Sequence, residues 1–330
     1  MMRMILIVTN KEDITVDFVI QELKRKKHNY YRLNTEDIPS IVKVRFDISQ
    51  SNYILWDSLK EEKIDLSTVS AVYFRRPKIS NLSYIPDIND TERTYLRNEL
   101  LSVLEGIYKS LDKVFWINDV YKIREAENKI YQLQLAKKIG FHIPESFISN
   151  CLDDINSMIK KCEESCVLKP IRTGSLNYSD NSQIIFTSEL QIESITQERI
   201  NSFPIFVQEK IEKAFDIRCI VVGEKVFAAE IHSQNSQDGK IDWRKAKEYL
   251  IHRKIDLPQE IKTKAIEITQ ALGLTFSAID FVCDKKGNYI FLECNPNGQW
   301  AWIETRLGYP ISEEIVNVLA RTFNEKDLHK

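Results

Sequence analysis

Near the C-terminus two apolar, β-prone runs close on one polar turn. Ser277-Ala278-Ile279-Asp280-Phe281-Val282 precedes it, Phe291-Leu292-Glu293-Cys294-Asn295 follows it, and Lys285-Lys286-Gly287-Asn288 lies between. Such a pattern predicts a β-hairpin. Pairing Asp284 with Tyr289 across a four-residue loop sets Asp280 opposite Glu293. Side chains alternate along a strand, so Asn295 falls on the face of Glu293. Two carboxylates and one amide then converge between apolar strands. Like charges held that close are unfavourable without a cation, and hard oxygen ligands suit Mg²⁺ holding nucleotide phosphates. The same letters also fit a hairpin whose polar face meets water, and a longer register slip would part the two acids.

A chain of 330 residues exceeds one small core, so two or three packed α/β units are expected. The first, 1–119, opens β-α-β: a strand over 4–8, a helix over 14–27 and a strand over 30–33. An added hairpin (42–48 and 53–56), a strand over 71–75 ending in Arg75-Arg76-Pro77, a helix over 92–111 and a strand over 114–118 complete it. The second, 120–203, begins with a helix over 125–139 that Gly140 caps and Pro144 bars from continuing. It continues with a helix over 152–164, a strand over 166–169, a glycine-poor excursion, a strand over 183–186 and a polar helical region over 187–200. The third, 204–330, holds a strand over 205–210, a hairpin (217–222 and 226–231), a helix over 259–272, the D…ExN hairpin and a helix over 312–323.

The net charge of −2 argues against a general nucleic-acid binder. The basic run Lys24-Arg25-Lys26-Lys27 closes a helix, where cations complement the dipole. Six cysteines show no zinc-like CxxC pairing. Cys162 and Cys166 could share a helical face, and all six read as free thiols in a reducing compartment. The apolar run 1–8 is too short for a signal or a span, so the reading is a cytoplasmic protein away from the membrane.

Lys169 ends an apolar strand, where a charge needs a partner. Lys129 sits mid-helix beside Glu127 and Asn128, Gln208-Glu209-Lys210-Ile211 ends another apolar strand, and Arg218 follows Asp216 on the next. Singly, each lysine also fits a solvated surface group. Their order (lysine, strand-end lysine, hinge acid, strand arginine, then D…ExN) resembles the ATP-grasp fold, with an N-terminal β-α-β pre-ATP-grasp domain ahead of α+β lobes. That resemblance implies that Lys129 and Lys169 touch ATP phosphates and that Gln208, Glu209, Lys210 and Ile211 form the hinge meeting adenine. It gives Asp280, Glu293 and Asn295 to Mg²⁺, and to Arg218 the charge developing on the transferred phosphoryl group and the carboxylate.

A narrower resemblance rests on Ala228-Ala229-Glu230-Ile231-His232-Ser233-Gln234 with Asp242-Trp243-Arg244, and on Asn295-Pro296-Asn297-Gly298-Gln299-Trp300 with Trp302-Ile303-Glu304. Tyr73-Phe74-Arg75-Arg76-Pro77 adds to it. These motifs are similar to those of the microviridin-type, or graspetide, macrocyclising ligases. The resemblance implies an enzyme that phosphorylates Asp or Glu side chains of a precursor peptide with ATP and joins them to Thr or Ser hydroxyls or Lys amines. It also implies a leader-peptide contact around 172–198, a homodimer, and no nucleic-acid partner. One departure is the segment 170–180, which contains only Gly174 where many ATP-grasp flaps are glycine-rich. Arg172 and Arg244 are candidates for gripping acidic residues of the peptide, because guanidinium suits a bidentate carboxylate; a surface salt bridge is the other reading of both. His232 stands next to a serine as a weak candidate base, and Trp300 and Trp302 read as packing residues. Two alternatives share the same chain features: a carboxylate–amine ligase acting on free amino acids or protein tails, and a non-catalytic peptide-binding module.

Overall fold

The computed structural model describes residues 3–325 apart from 173–174, 178–181 and 192–194. The expected β-α-β opening is present as β1 (Met4–Thr9), α1 (Thr15–Arg25) and β2 (Tyr30–Asn34). β3 (Val42–Asp47) and β4 (Asn52–Asp57) form the expected hairpin, and β5 (Glu62–Asp65) extends it to a three-stranded antiparallel sheet. β5 is too short and too charged to declare itself by alternation. The chain returns through β6 (Val69–Phe74), α2 (Asp90–Ser110) and β7 (Phe115–Ile117), giving a parallel sheet in the order β2-β1-β6-β7. β1 is buried along its whole length because both faces are covered, as parallel sheets require. Leu6, Val8 and Val72 face Leu104 and Ile107 of α2, whereas Ile5, Ile7 and Ala71 face α1 and helices from the far end of the chain.

The single helix read over 125–139 is two helices, α3 (Val120–Ala126) and α4 (Lys129–Ile139). Asn128 breaks it: its backbone is extended and its side chain accepts from the Tyr131 N–H at 3.1 Å, an N-cap. Lys129 therefore opens a helix instead of sitting inside one. Gly140 is the C-cap, at φ 90°. Then come β8 (Ser146–Ser149), α5 (Leu152–Lys161) and β9 (Cys166–Lys169). Cys162 ends α5 while Cys166 starts β9, so they share no helical face; all six thiols are free.

β10 (Ser175–Asn177) and β11 (Ser182–Ile184) pair antiparallel, within the segment proposed above for leader contact; 173–174, 178–181 and 192–194 of that segment lie outside the described residues. Among the described residues of the polar run over 187–200, α6 (Gln197–Ile200) is helical, while Ser188 and Glu189 form β12 (Ser188–Glu189) on Leu168 and Val167. A ladder partner outweighs the weak helix preference of Thr and Ser. The sequence places 205–210 in the last unit, yet β13 (Ile205–Glu209) pairs with β8 and β9 in a sheet ordered β12-β9-β13-β8.

The last sheet runs β16-β15-β14-β17-β18. Its strands are β14 (Lys213–Val222), β15 (Lys225–Ile231), β16 (His252–Lys254), β17 (Phe276–Asp284) and β18 (Tyr289–Asn295), with α7 (Gln259–Ala271) before β17. α8 (Ala301–Leu307), unread in the sequence, leads through Gly308 at φ 62° to α9 (Ile311–Glu325). α9 buries Ile315, Val316 and Leu319 against α1 and the N-terminal sheet, so first and last units share one core. Among the described residues no helix is long and apolar enough to cross a membrane.

The β17–β18 hairpin corrects the sequence in an instructive way. Cys283, not Asp284, pairs with Tyr289, so the loop is one residue longer than expected. A β-bulge between the Phe281–Phe291 and Asp280–Glu293 pairs absorbs Leu292 and shifts the register back. Asp280 lies opposite Glu293 after all. Beyond Asn295 the chain presses onto β17, where a Cβ at Gly298 would sit 2.2 Å from the Ala278 Cβ. Gly298→Ala should therefore destabilise the protein by roughly 1–3 kcal/mol, as overpacking does. A lowered thermal midpoint would register this, and an unchanged one would show that the loop can shift freely.

Candidate active site

Three neighbouring strands set the site. Arg218 on β14 pairs in register with Asp280 on β17, which pairs with Glu293 on β18. Residues directly opposite share a face, so a guanidinium and two carboxylates form one row across the sheet. Arg218 Nη1 donates to Asp280 Oδ1 at 2.8 Å, and both side chains are nearly buried. The Arg218 Nε finds no acceptor among the described residues. Asn295 lies two residues beyond Glu293 and lines the same cavity; its Oδ1 accepts from the Asn297 N–H at 2.9 Å.

The central lobe brings its cations to the open end of the row. Lys129, at the start of α4, places Nζ 3.3 Å from Glu293 Oε2 and donates to the Pro170 carbonyl at 3.1 Å. That contact ties α4, the end of β9 and β18 together. Lys169 is held in the ladder with β13 by its backbone, while its ammonium has no hydrogen bond or ion pair among the described residues. Arg244 is gripped by Asp242 through two 2.8 Å contacts and reaches Glu293 Oε1 at 3.5 Å. A cavity of about 860 Å³ between the lobes is lined by these groups, by Arg172 at its exposed margin and by the 208–211 segment.

The segment's side chains are tied back to their own lobe. Gln208 Nε2 donates to Ser146 Oγ at 2.8 Å, Glu209 Oε2 accepts from the Glu145 N–H at 3.1 Å, and Lys210 pairs with Glu189. Arg218, paired with Asp280, is not among the lining residues, but every residue singled out from the sequence for nucleotide, metal or acidic side-chain contact lines this cavity. His232 does not: it pairs with Glu230 at 2.5 Å, while Ser233 donates to Asp216 instead. Trp300 is wholly buried as a packing residue, with its ring 6.1 Å from Phe18; Trp302 makes a tilted contact with Trp243 and an edge-to-face one with His252.

Sequence reasoning missed the residues that hold the row in place. Gln132 of α4 is buried, donating to the Cys294 carbonyl at 2.7 Å and accepting from its N–H at 2.9 Å, which fixes β18 between its two chemical residues. Lys213 and Asp216 form a buried pair at 2.6 Å, and Lys213 also donates to the Ile241 carbonyl next to Asp242. Only the type of Gln132, a polar residue on an otherwise apolar helix face, hints at such a role.

The family model of the RimK-like ATP-grasp domain matches residues 126–319. The chain belongs to the RimK-like ATP-grasp family. Residues 4–124 match the MvdD pre-ATP grasp domain. The structure is similar to the macrocyclase MdnC from Microcystis aeruginosa, solved with its precursor peptide MdnA: 28% identity, TM-score 0.83, covering 96% of this chain and 99% of that one. It is also similar to a RiPP-associated ATP-grasp ligase from Chryseobacterium gregarium, solved with ADP and a leader and core peptide. There identity is 26% and TM-score 0.86, with 97% of each chain covered. A probable alpha-L-glutamate ligase of Haemophilus influenzae is 30% identical over 220 residues, 62% of this chain and 66% of its own.

ATP-grasp ligases use ATP and Mg²⁺. The donors here fit that ion: a buried carboxylate, a half-buried one and an amide oxygen on one face are a hard set, and phosphate oxygens would complete it. Among the described residues no cluster of three His, Cys, Asp or Glu side chains could hold a metal without such help. When bound, Mg²⁺ neutralises phosphate charge. The electrostatics of the row suit that partner. Burial pushes the Asp280 carboxyl above its ordinary value against the pull of Arg218. Burial also acts upward on Glu293, but Lys129, Arg244 and Lys169 together hold it well below the usual range. Asp242 and Glu293 keep Arg244 charged despite burial.

Lys169 is pushed down to about 8, chiefly by burial and further by Lys129, with Glu293 pulling the other way. It is cationic below that pH and loses charge above it. The affinity for Mg·ADP should fall as pH rises through about 8, read by titration calorimetry across that range. Lys169→Met should bind more weakly throughout, roughly tenfold near neutral pH, with that pH dependence gone. An identical pH profile in the variant would remove Lys169 from the nucleotide site.

Proposed function

We propose that this chain phosphorylates Asp or Glu side chains of a ribosomally made precursor peptide with ATP and closes each onto a hydroxyl or amine of the same peptide. The observation that carries this reading is the whole-chain match to peptide-bound ligases, N-terminal unit included, around a cavity whose phosphate-side cations are joined by Arg244. In this reading Lys129 and Lys169 meet the phosphates, and Arg218 stabilises charge on the phosphoryl group in flight. The tied-back side chains of Gln208, Glu209 and Lys210 suit a hinge that meets adenine with backbone and with Ile211. Asp280, Glu293 and Asn295 would hold Mg²⁺.

The chemistry needs no protein nucleophile. A carboxylate oxygen of the peptide attacks the γ-phosphorus and ADP leaves, giving an acyl phosphate. A Thr or Ser hydroxyl, or a Lys amine, then attacks the acyl carbon, phosphate leaves and the attacking group gives up its proton. What the site must supply is alignment and charge neutralisation. Arg244, braced by Asp242 and extending beside Glu293, is placed to hold an acidic side chain next to the phosphates, and Arg172 to hold another at the cavity margin. Leader contact around 172–198 and a homodimer belong to the same proposal.

The second reading, a ligase adding free amino acids such as glutamate, is favoured by the Haemophilus relative. That likeness spans 62% of this chain, whereas the peptide-bound ligases span 96% and 97% of it. Co-expression with a neighbouring short, acidic, Thr- or Ser-containing open reading frame should yield a peptide lighter by one water per closed ring. A peptide of unchanged mass, together with ADP release driven by free glutamate, would hand the chain to the second reading. Asp280→Ala should abolish the mass loss, and retained turnover would refute the metal assignment.

A further inference from the structure

The arginine doublet closing β6 divides its labour between structure and chemistry. Arg75 is 2% exposed, with Nε 2.9 Å from Asp13. Its Nη1 donates to the Gly298 carbonyl at 3.1 Å and its Nη2 to Gln299 Oε1 at 2.7 Å, an oxygen that also takes the Thr15 hydroxyl at 2.7 Å. This arginine staples the N-terminal unit to the loop that follows Asn295, and Asp13 cancels its charge.

Arg76 is left over from that task. Its side chain reaches solvent and lines the cavity beside Asp280, Asn295 and Asn297, with Nε donating to the Asn297 carbonyl at 3.3 Å. Among the described residues it has no carboxylate partner, whereas Lys129, Arg218 and Arg244 each have one. Its backbone sits at φ 49°, in the left-handed region that costs a residue with a Cβ about 1–2 kcal/mol. That conformation is held in place: Asn10 Nδ2 donates to the Arg76 carbonyl at 2.5 Å, the Arg75 N–H donates to Val8, and Pro77 follows. Strain that its surroundings over-determine is commonest where a side chain is being aimed.

We propose that Arg76 is a substrate-binding residue of the active site: it grips the carboxylate being activated and then its acyl phosphate at the edge of the cavity formed by Asp280, Asn295 and Asn297. A planar guanidinium fork matches either group bidentately, and Arg76 has no carboxylate of its own among the described residues to compete with it. The consequence is that the N-terminal unit completes the catalytic centre instead of only flanking it. The proposal rests on the ligase reading above.

The test uses the full chain loaded with Mg·ADP and acetonylphosphonate, a non-hydrolysable mimic of an acyl phosphate, with binding followed by ³¹P NMR. Arg76→Gly relaxes the left-handed backbone and should fold; it should weaken the mimic about tenfold or more, as loss of a charged bidentate contact does. Mg·ADP affinity should stay put and the thermal midpoint should not fall, Arg76→Lys should recover part of the loss, and added guanidinium should partly rescue the glycine variant. Wild-type protein that ignores the mimic, a variant that binds it as well as wild type, or an equal loss of Mg·ADP affinity would each overturn the assignment. Peptide cyclisation is read separately by mass. Arg76-dependent binding of the mimic without any cyclised peptide would refute the peptide reading and leave this one standing.

Discussion

Asp280 lies between Arg218 on one side and Glu293 on the other, and the site is organised around making that placement tolerable. A buried and a half-buried carboxylate one strand apart repel strongly in a medium of low polarisability. They persist because Arg218 takes one and Lys129 with Arg244 takes the other. The cations come from β14, from the start of α4 and from the loop before β16, so the acids hold three segments of the chain together. In the proposed reading a divalent ion with its phosphates would replace these internal pairs like for like: Asp280 and Glu293 would hold the metal, and the cations would meet the phosphates. Charge balance is kept at each stage, which is why a set so highly charged can sit inside a folded protein at all.

Holding the row in register needs supports that touch no substrate. Gln132 clamps the backbone of Cys294, Arg75 and Asn118 clamp the loop beyond Asn295, and the Lys213–Asp216 pair anchors the segment carrying Asp242. Most of these supports reach in from another unit, so the geometry of β17 and β18 belongs to the whole chain and not to the last sheet alone. Gly298 matters for the same reason: its missing Cβ allows the loop to lie against Ala278.

Much of this was legible in the letters, and the failures have definite causes. The opposition of Asp280 and Glu293 followed from strand alternation, yet it is reached through a longer loop and a bulge at Leu292, two departures that cancel. Alternation reports which face a residue takes, not how many residues a turn consumes. Lys129 was found by type and order but misplaced in its helix, because Asn128 reads as an ordinary helical residue until its cap bond is seen. β5, β12 and α8 are too short for periodicity to register. β13 was assigned to the wrong sheet because pairing partners cannot be read from a strand's own composition. The Arg75–Asp13 pair, like Gln132, depends on contacts between residues far apart in the chain, and one sequence carries no signal for them.

The way α9 closes the molecule bears on how it is made. Ile5 and Ile7 are covered in part by Ile315 and Leu319, which come far later in the chain. An apolar face of the opening sheet therefore stays bare until α9 has been made and has docked. In that interval it is a surface for chaperones and for aggregation. Truncation within α9 would leave the face bare, so this helix acts as the latch that closes the core.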